Sequence, residues 1–126
     1  EREDVQKFGI EKLLKDFLPV IDDLDRAVQV VEGGDASDAT EQLLGGVRLV
    51  QKKFLSTLEK HGVTSFEAKG EAFNPERHEA VQQAPSEVPA GAVAQELQRG
   101  FLIHDRLLRP ALVVVSLGPE GSEGAG

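Results

Sequence analysis

The sequence contains no cysteine, tryptophan or tyrosine, and its aromatic residues are six phenylalanines. Without cysteine there is no disulfide framework, no thiolate nucleophile and no thiolate metal site. That absence is compatible with a reducing compartment, and a cytoplasmic location is expected. Aromatics make up 5% of the chain within an apolar fraction of 40%, so the core is expected to be aliphatic and modest. No apolar run approaches the roughly 18 residues of a membrane-crossing helix, and no signal peptide is visible. Cations are scarce: 14 Lys and Arg stand against 22 Asp and Glu, for a net charge of −8. Residues 1–62 hold 9 cationic and 13 acidic side chains and residues 63–126 hold 5 and 9, so each half carries −4. With no basic stripe, nucleic acid and anionic membrane are not expected partners. A protein partner with basic patches stays open.

Catalytic constellations are missing too. His61, His78 and His104 are scattered, and none has a second ligand at zinc spacing on one helix. Asp22, Asp23 and Asp25 lack the spacing of a calcium loop and suit a solvated helix face. Ser37, Ser56, Ser65, Ser86 and Ser116 stand in no nucleophile elbow, and there is no Gly-rich phosphate loop ending in Lys-Ser/Thr. The chain is therefore expected not to be an enzyme and to hold neither metal nor cofactor.

What is present is a ladder. Ile10, Leu14, Phe17, Ile21, Leu24, Val28 and Val31 follow one another at alternating gaps of four and three, the seam of a left-handed coiled coil. One helix cannot bury such a seam; it needs a partner helix from this chain or a second copy. With so small a core, a homodimer is expected. Pro19 sits mid-ladder, which predicts a kink or two helices nearly end to end. Gly33-Gly34-Asp35 breaks the helix after about residue 32, and Asp35 to Asp38 supply N-cap candidates. A second helix is predicted from Ala39 to His61 on Leu43, Val47, Val50, Phe54 and Leu58, with Gly62 closing it. Gly45-Gly46 inside it reads as an irregular first turn or as a place of close backbone approach.

From Val63 onward helical periodicity is lost, and five of the six prolines lie here. Short β-like runs cover Val63–Phe66, Ala80–Gln83, Val93–Gln98, Phe101–His104 and Leu107–Leu117. The last is apolar on both faces and is expected to be central, with Pro110 near its start. His104-Asp105 is expected to form a hairpin turn. The fold class is thus α+β: a long N-terminal helix and a second helix over residues 1–62, a small β domain over 63–117, and a disordered Gly-rich tail over 118–126. The start at Glu1-Arg2-Glu3-Asp4, without Met and already helix-like, is read as the cut end of a fragment.

Two blocks carry a family resemblance. Lys7-Phe8-Gly9-Ile10-Glu11-Lys12 leads into Leu18-Pro19-Val20-Ile21-Asp22-Asp23-Leu24-Asp25-Arg26-Ala27. Later, Phe73-Asn74-Pro75-Glu76-Arg77-His78-Glu79-Ala80-Val81 precedes Gly100-Phe101 and the run Arg106-Leu107-Leu108-Arg109-Pro110-Ala111-Leu112-Val113-Val114-Val115. Occurring together and in order, over roughly residues 7 to 116, they resemble the GrpE family, the nucleotide exchange factors of DnaK-type heat-shock chaperones. The resemblance implies a parallel homodimer with a coiled-coil stalk, a four-helix bundle and a β wing on each subunit. One wing would dock on the chaperone's ATPase domain and open its nucleotide cleft, so that ADP leaves, without chemistry or cofactor. It assigns chaperone contacts to Arg106 and Val115 in the wing and Gly46 in the bundle. It gives Phe73, Pro75, Ala80, Gly100 and Pro110 wing-shaping roles and His78 a structural one beside the Asn74-Pro75 turn. Two features depart from the family: the usual basic segment before Lys7 is missing apart from Arg2, and Asp4 falls where a basic contact is common. A coiled-coil scaffold with a β recognition module and no exchange activity is the alternative.

Overall fold

The computed structural model of the chain describes residues 2–34 and 37–120, with side chains from residue 9 onward. Contacts divide the chain into two units, Glu1–Gly62 and Val63–Gly126. The first is helical and the second is built of strands, which is the expected α+β class. Of the Gly-rich tail, residues 121–126 lie outside the described residues.

Helix α1 spans Arg2–Glu32 and passes through Pro19 as one helix, not two laid end to end. Proline there removes the N–H that would meet the Lys15 carbonyl, but Pro19 faces solvent, where water can satisfy that carbonyl. Helix α2 spans Asp38–Lys60. Ser37 caps it, its Oγ accepting the Thr40 N–H at 3.1 Å, and Asp38 and Glu41 place negative charge at the positive end of the helix. Gly62, at φ 81°, follows the C-cap His61 and reverses the chain as only glycine does cheaply. Gly45 and Gly46 lie well inside regular helix, so the irregular first turn is not what forms. A Cβ added to either would meet nothing within 4 Å.

The two helices pack as a hairpin. Leu18 and Ile21 are fully buried, Val28 and Leu44 nearly so; full burial of a side chain of this size contributes about 1.5–3 kcal/mol. Polar pairs fix the register along one edge: Gln51 Nε2 donates to Asp25 Oδ1 at 2.5 Å, and Arg48 is bonded to Glu32.

In the second unit, β1 (Val63–Phe66), β4 (Gly100–Ile103) and β5 (Arg106–Arg109) form an antiparallel sheet in the order β1-β4-β5. The other sheet has the order β2-β6-β3, with β2 (His78–Ala84) parallel to β6 (Ala111–Ser116) and β3 (Val93–Gln98) antiparallel to it. The apolar run from Leu107 to Leu117 is therefore two strands, a correction to the single strand expected. Pro110 is the break: it has no N–H for a ladder and a fixed φ, and the chain leaves one sheet there and enters the other. The expectation of a central strand holds for β6, which is flanked on both sides. Ala68, Val93, Ala111 and Val113 form the buried core, with Phe66, Phe73 and Val115 packed on it.

Two details lock the sheets. Gly100 faces Phe66 across the β1–β4 ladder, and a Cβ there would collide with the Phe66 ring and come within 2.7 Å of the Ala111 nitrogen. Only glycine lets the ring lie across the strand. At the far end, Ser116 is 2% exposed; its Oγ donates to the Val88 carbonyl at 2.8 Å and accepts the Gly118 N–H at 2.9 Å. This buried hydroxyl is fully used, as burial requires.

Candidate docking site

The β4–β5 hairpin turns in two residues, His104 and Asp105, as expected from the sequence. His104 takes a positive φ of 53°, a conformation two-residue hairpins need and one most side chains avoid. Arg106 opens β5 directly after the turn, opposite Ile103, and is exposed. The hairpin thus presents a guanidinium at its tip, with five donors in a rigid fork suited to a carboxylate or to backbone carbonyls.

Arg109, three residues on, is built into the unit instead. Its Nε donates to the Arg99 carbonyl at 2.8 Å, and its guanidinium lies over the Phe101 ring, 5.4 Å from the centroid. Val115, the second residue assigned to the chaperone contact, is half-buried on β6 against the core cluster. It sits in the other sheet from Arg106, where its packing supports the wing. Gly46 belongs to the helical unit and is exposed on α2. Leu49 lies one turn further along, 68% exposed. Sequence reasoning did not single out Leu49, because no periodic neighbour marks it.

The helical unit divides the α1 ladder between two faces. Ile21 and Val28 turn inward against α2, at 0% and 8% exposed, and Leu14, one heptad before Ile21, lines a groove with α2 residues. Ile10 and Phe17 stay outside at 54% and 49%, and Leu24 and Val31 are half-exposed. The rungs are thus unequally covered within the single chain. Leu13 and Val20, off the ladder by one position, are exposed at 55% and 45% and widen the outer stripe. Their own spacing with Phe17 and Leu24, again four and three, was the available signal. Between the helices Leu14, Phe17, Val50, Phe54 and Leu58 line an open apolar groove of about 360 Å³.

The three histidines are apart. His61 caps α2, His104 is in the hairpin turn, and His78 is buried where β2 begins. Among the described residues no group of three or more His, Cys, Asp or Glu side chains gathers to hold a metal ion. Among them, too, no helix is long and apolar enough to cross a membrane.

Comparison with known proteins finds a match along nearly the whole chain. A family model described as GrpE matches residues 1–117. The chain is 47% identical over 117 residues to a Protein GrpE of Shewanella frigidimarina, covering 92% of this chain and 57% of that protein. It is 45% identical over 118 residues to a Protein GrpE of Shewanella halifaxensis, covering 92% and 58%. A Protein GrpE of Shewanella woodyi shares 44% over 121 residues, covering 94% and 56%. The chain thus spans just over half the length of the curated relatives it matches.

Proposed function

The chain belongs to the GrpE family, and from that premise we propose that it is an adenine nucleotide exchange factor that docks on the ATPase domain of a DnaK-type chaperone and accelerates ADP release. The observation that carries the reading is the family match over residues 1–117, a span that takes in both helices and all the described strands. Exchange of this kind needs no catalytic group. A partner that binds the open form of a nucleotide cleft more tightly than the closed form shifts the population toward open, and the nucleotide leaves from there.

Residues 1–62 act as the dimerisation region and residues 63–117 as the docking wing. Two copies pair through the outer stripe of α1 and the groove beside Val50, and their four helices form the bundle. Arg106 at the hairpin tip makes the charge-assisted contact with the chaperone, Val115 supports the wing from its other sheet, and Gly46 offers a bundle contact without side-chain bulk. The protein works in the cytoplasm, as a homodimer, with no cofactor and no nucleic acid or membrane partner. Stopped-flow release of a labelled ADP from the chaperone tests the reading: micromolar protein should raise the rate about tenfold or more, equivalent to about 1.4 kcal/mol off the barrier. An unchanged rate would leave only the scaffold reading.

A further inference from the structure

His78 is 6% exposed and takes no part in the docking hairpin or the helical stripe. Its ring lies beside Phe73 and Phe66, at centroid distances of 5.9 and 6.2 Å. Its Nδ1 accepts the Asn74 N–H at 3.0 Å. Asn74 in turn organises the turn that follows. Its carbonyl accepts the N–H groups of Arg77 at 2.9 Å and His78 at 2.8 Å, and its Oδ1 accepts the Glu76 N–H at 2.9 Å. The Arg77 carbonyl accepts the Ala111 N–H at 3.0 Å, and His78 pairs with Ala111 as the first rung of β2 on β6. The imidazole therefore closes the turn 74–78, and the backbone of Arg77 and His78 joins that turn to the start of the central strand.

An imidazole nitrogen can accept only while it carries no proton. Protonation would set two N–H donors against each other in a buried site and strand both. We infer that His78 is an acid-sensitive latch, whose protonation releases the Asn74–Arg77 turn and with it the first β2–β6 pairing of the wing. The charged groups acting on the ring are Arg77, whose guanidinium also lies over Phe66 at 5.4 Å, and Glu71. Burial pushes the His78 pKa below the usual histidine value, Arg77 pushes the same way, and Glu71 opposes them.

The unfolded chain takes up its proton near the ordinary histidine pKa of about 6.5, whereas the folded wing resists it. The latch is thus fully stabilising above about pH 6.5, and its contribution is lost as pH falls toward the lowered folded value, by up to about tenfold in the folding equilibrium per pH unit. The inference stands whether or not the protein exchanges nucleotide.

The test uses the whole protein in two readouts. The His78 ring protons, followed by nuclear magnetic resonance, should titrate clearly below the ordinary histidine range. Denaturant unfolding read at the Ala111 amide should show stability falling between pH 6.5 and 5.5 in the wild type and staying flatter in His78→Asn, whose side-chain carbonyl accepts but does not titrate. A ring that titrates at or above the ordinary value overturns the inference. So does an equal pH slope in the two proteins. If His78→Asn does not fold, the ring titration of the wild type decides alone.

Discussion

Phe17→Asp should leave the protein monomeric at micromolar concentration, with a light-scattering mass near 13.6 kDa instead of twice that value. Phe17 lies at the groove beside α2 and is 49% exposed in the single chain, so an aspartate there keeps contact with water and costs the hairpin less than it costs the dimer. In the proposed dimer the same position becomes part of the shared seam. Each subunit then loses the burial of a phenylalanine, about 1.5–3 kcal/mol, and must place a carboxylate against apolar neighbours, which adds a further penalty. Because symmetry repeats the change in both copies, the dimer constant should weaken by at least about 10³-fold, or about 4 kcal/mol. Ile21→Asp separates the two faces of the ladder. Ile21 is 0% exposed against α2, so its substitution should unfold the hairpin as well as the dimer. A dimeric mass for folded Phe17→Asp would show that the outer stripe of α1 is not the pairing surface.

Arg106→Ala should lower affinity for the chaperone ATPase domain by about 2–5 kcal/mol, the range for truncating one side of a buried, hydrogen-bonded charge pair. Stimulated ADP release at subsaturating protein should fall in proportion. The wing should remain folded, because Arg106 is exposed and surface ion pairing is worth under about 1 kcal/mol. Arg109 is the control on the same strand. Its bond to the Arg99 carbonyl and its place over Phe101 make Arg109→Ala a stability variant first. It should lower the melting temperature of the wing more than Arg106→Ala does, and affect docking less. If folded Arg106→Ala exchanges nucleotide as the wild type does, the docking surface is not this hairpin.

The parts of this fold that were legible in the sequence are those whose causes are local. A period of 3.5 in apolar residues announces a helix, a capping serine begins the next one, and His104-Asp105 between two apolar runs announces a hairpin. Partner choice is less local. The ladder on α1 reads as one seam, but its rungs differ in burial: Ile21 and Val28 are buried, whereas Ile10 and Phe17 stay about half exposed. The apolar period is the same in both cases, so spacing alone does not assign the neighbour. The run from Leu107 to Leu117 likewise reads as one apolar strand, and only Pro110 marks where the chain changes sheets. The site divides in the same manner. Arg106 at the hairpin tip followed from the turn. The burial of Val115 against Val93 and Val113 depends on which strands flank β6, and the sequence pattern does not state that. His78 was legible as a structural residue, but its bond to Asn74 and the aromatic rings around it are products of the folded turn.

The central claim is that the binding free energy of this protein is directed at a nucleotide-free chaperone. A partner with equal affinity for both states shifts nothing, however tightly it binds, and coupling between two ligands is reciprocal. The direct measurement is the affinity of the intact protein for the ATPase domain, taken once without nucleotide and once with saturating ADP. ADP should weaken the complex by about tenfold or more, at least 1.4 kcal/mol of coupling. Equal affinity in the two conditions would contradict it.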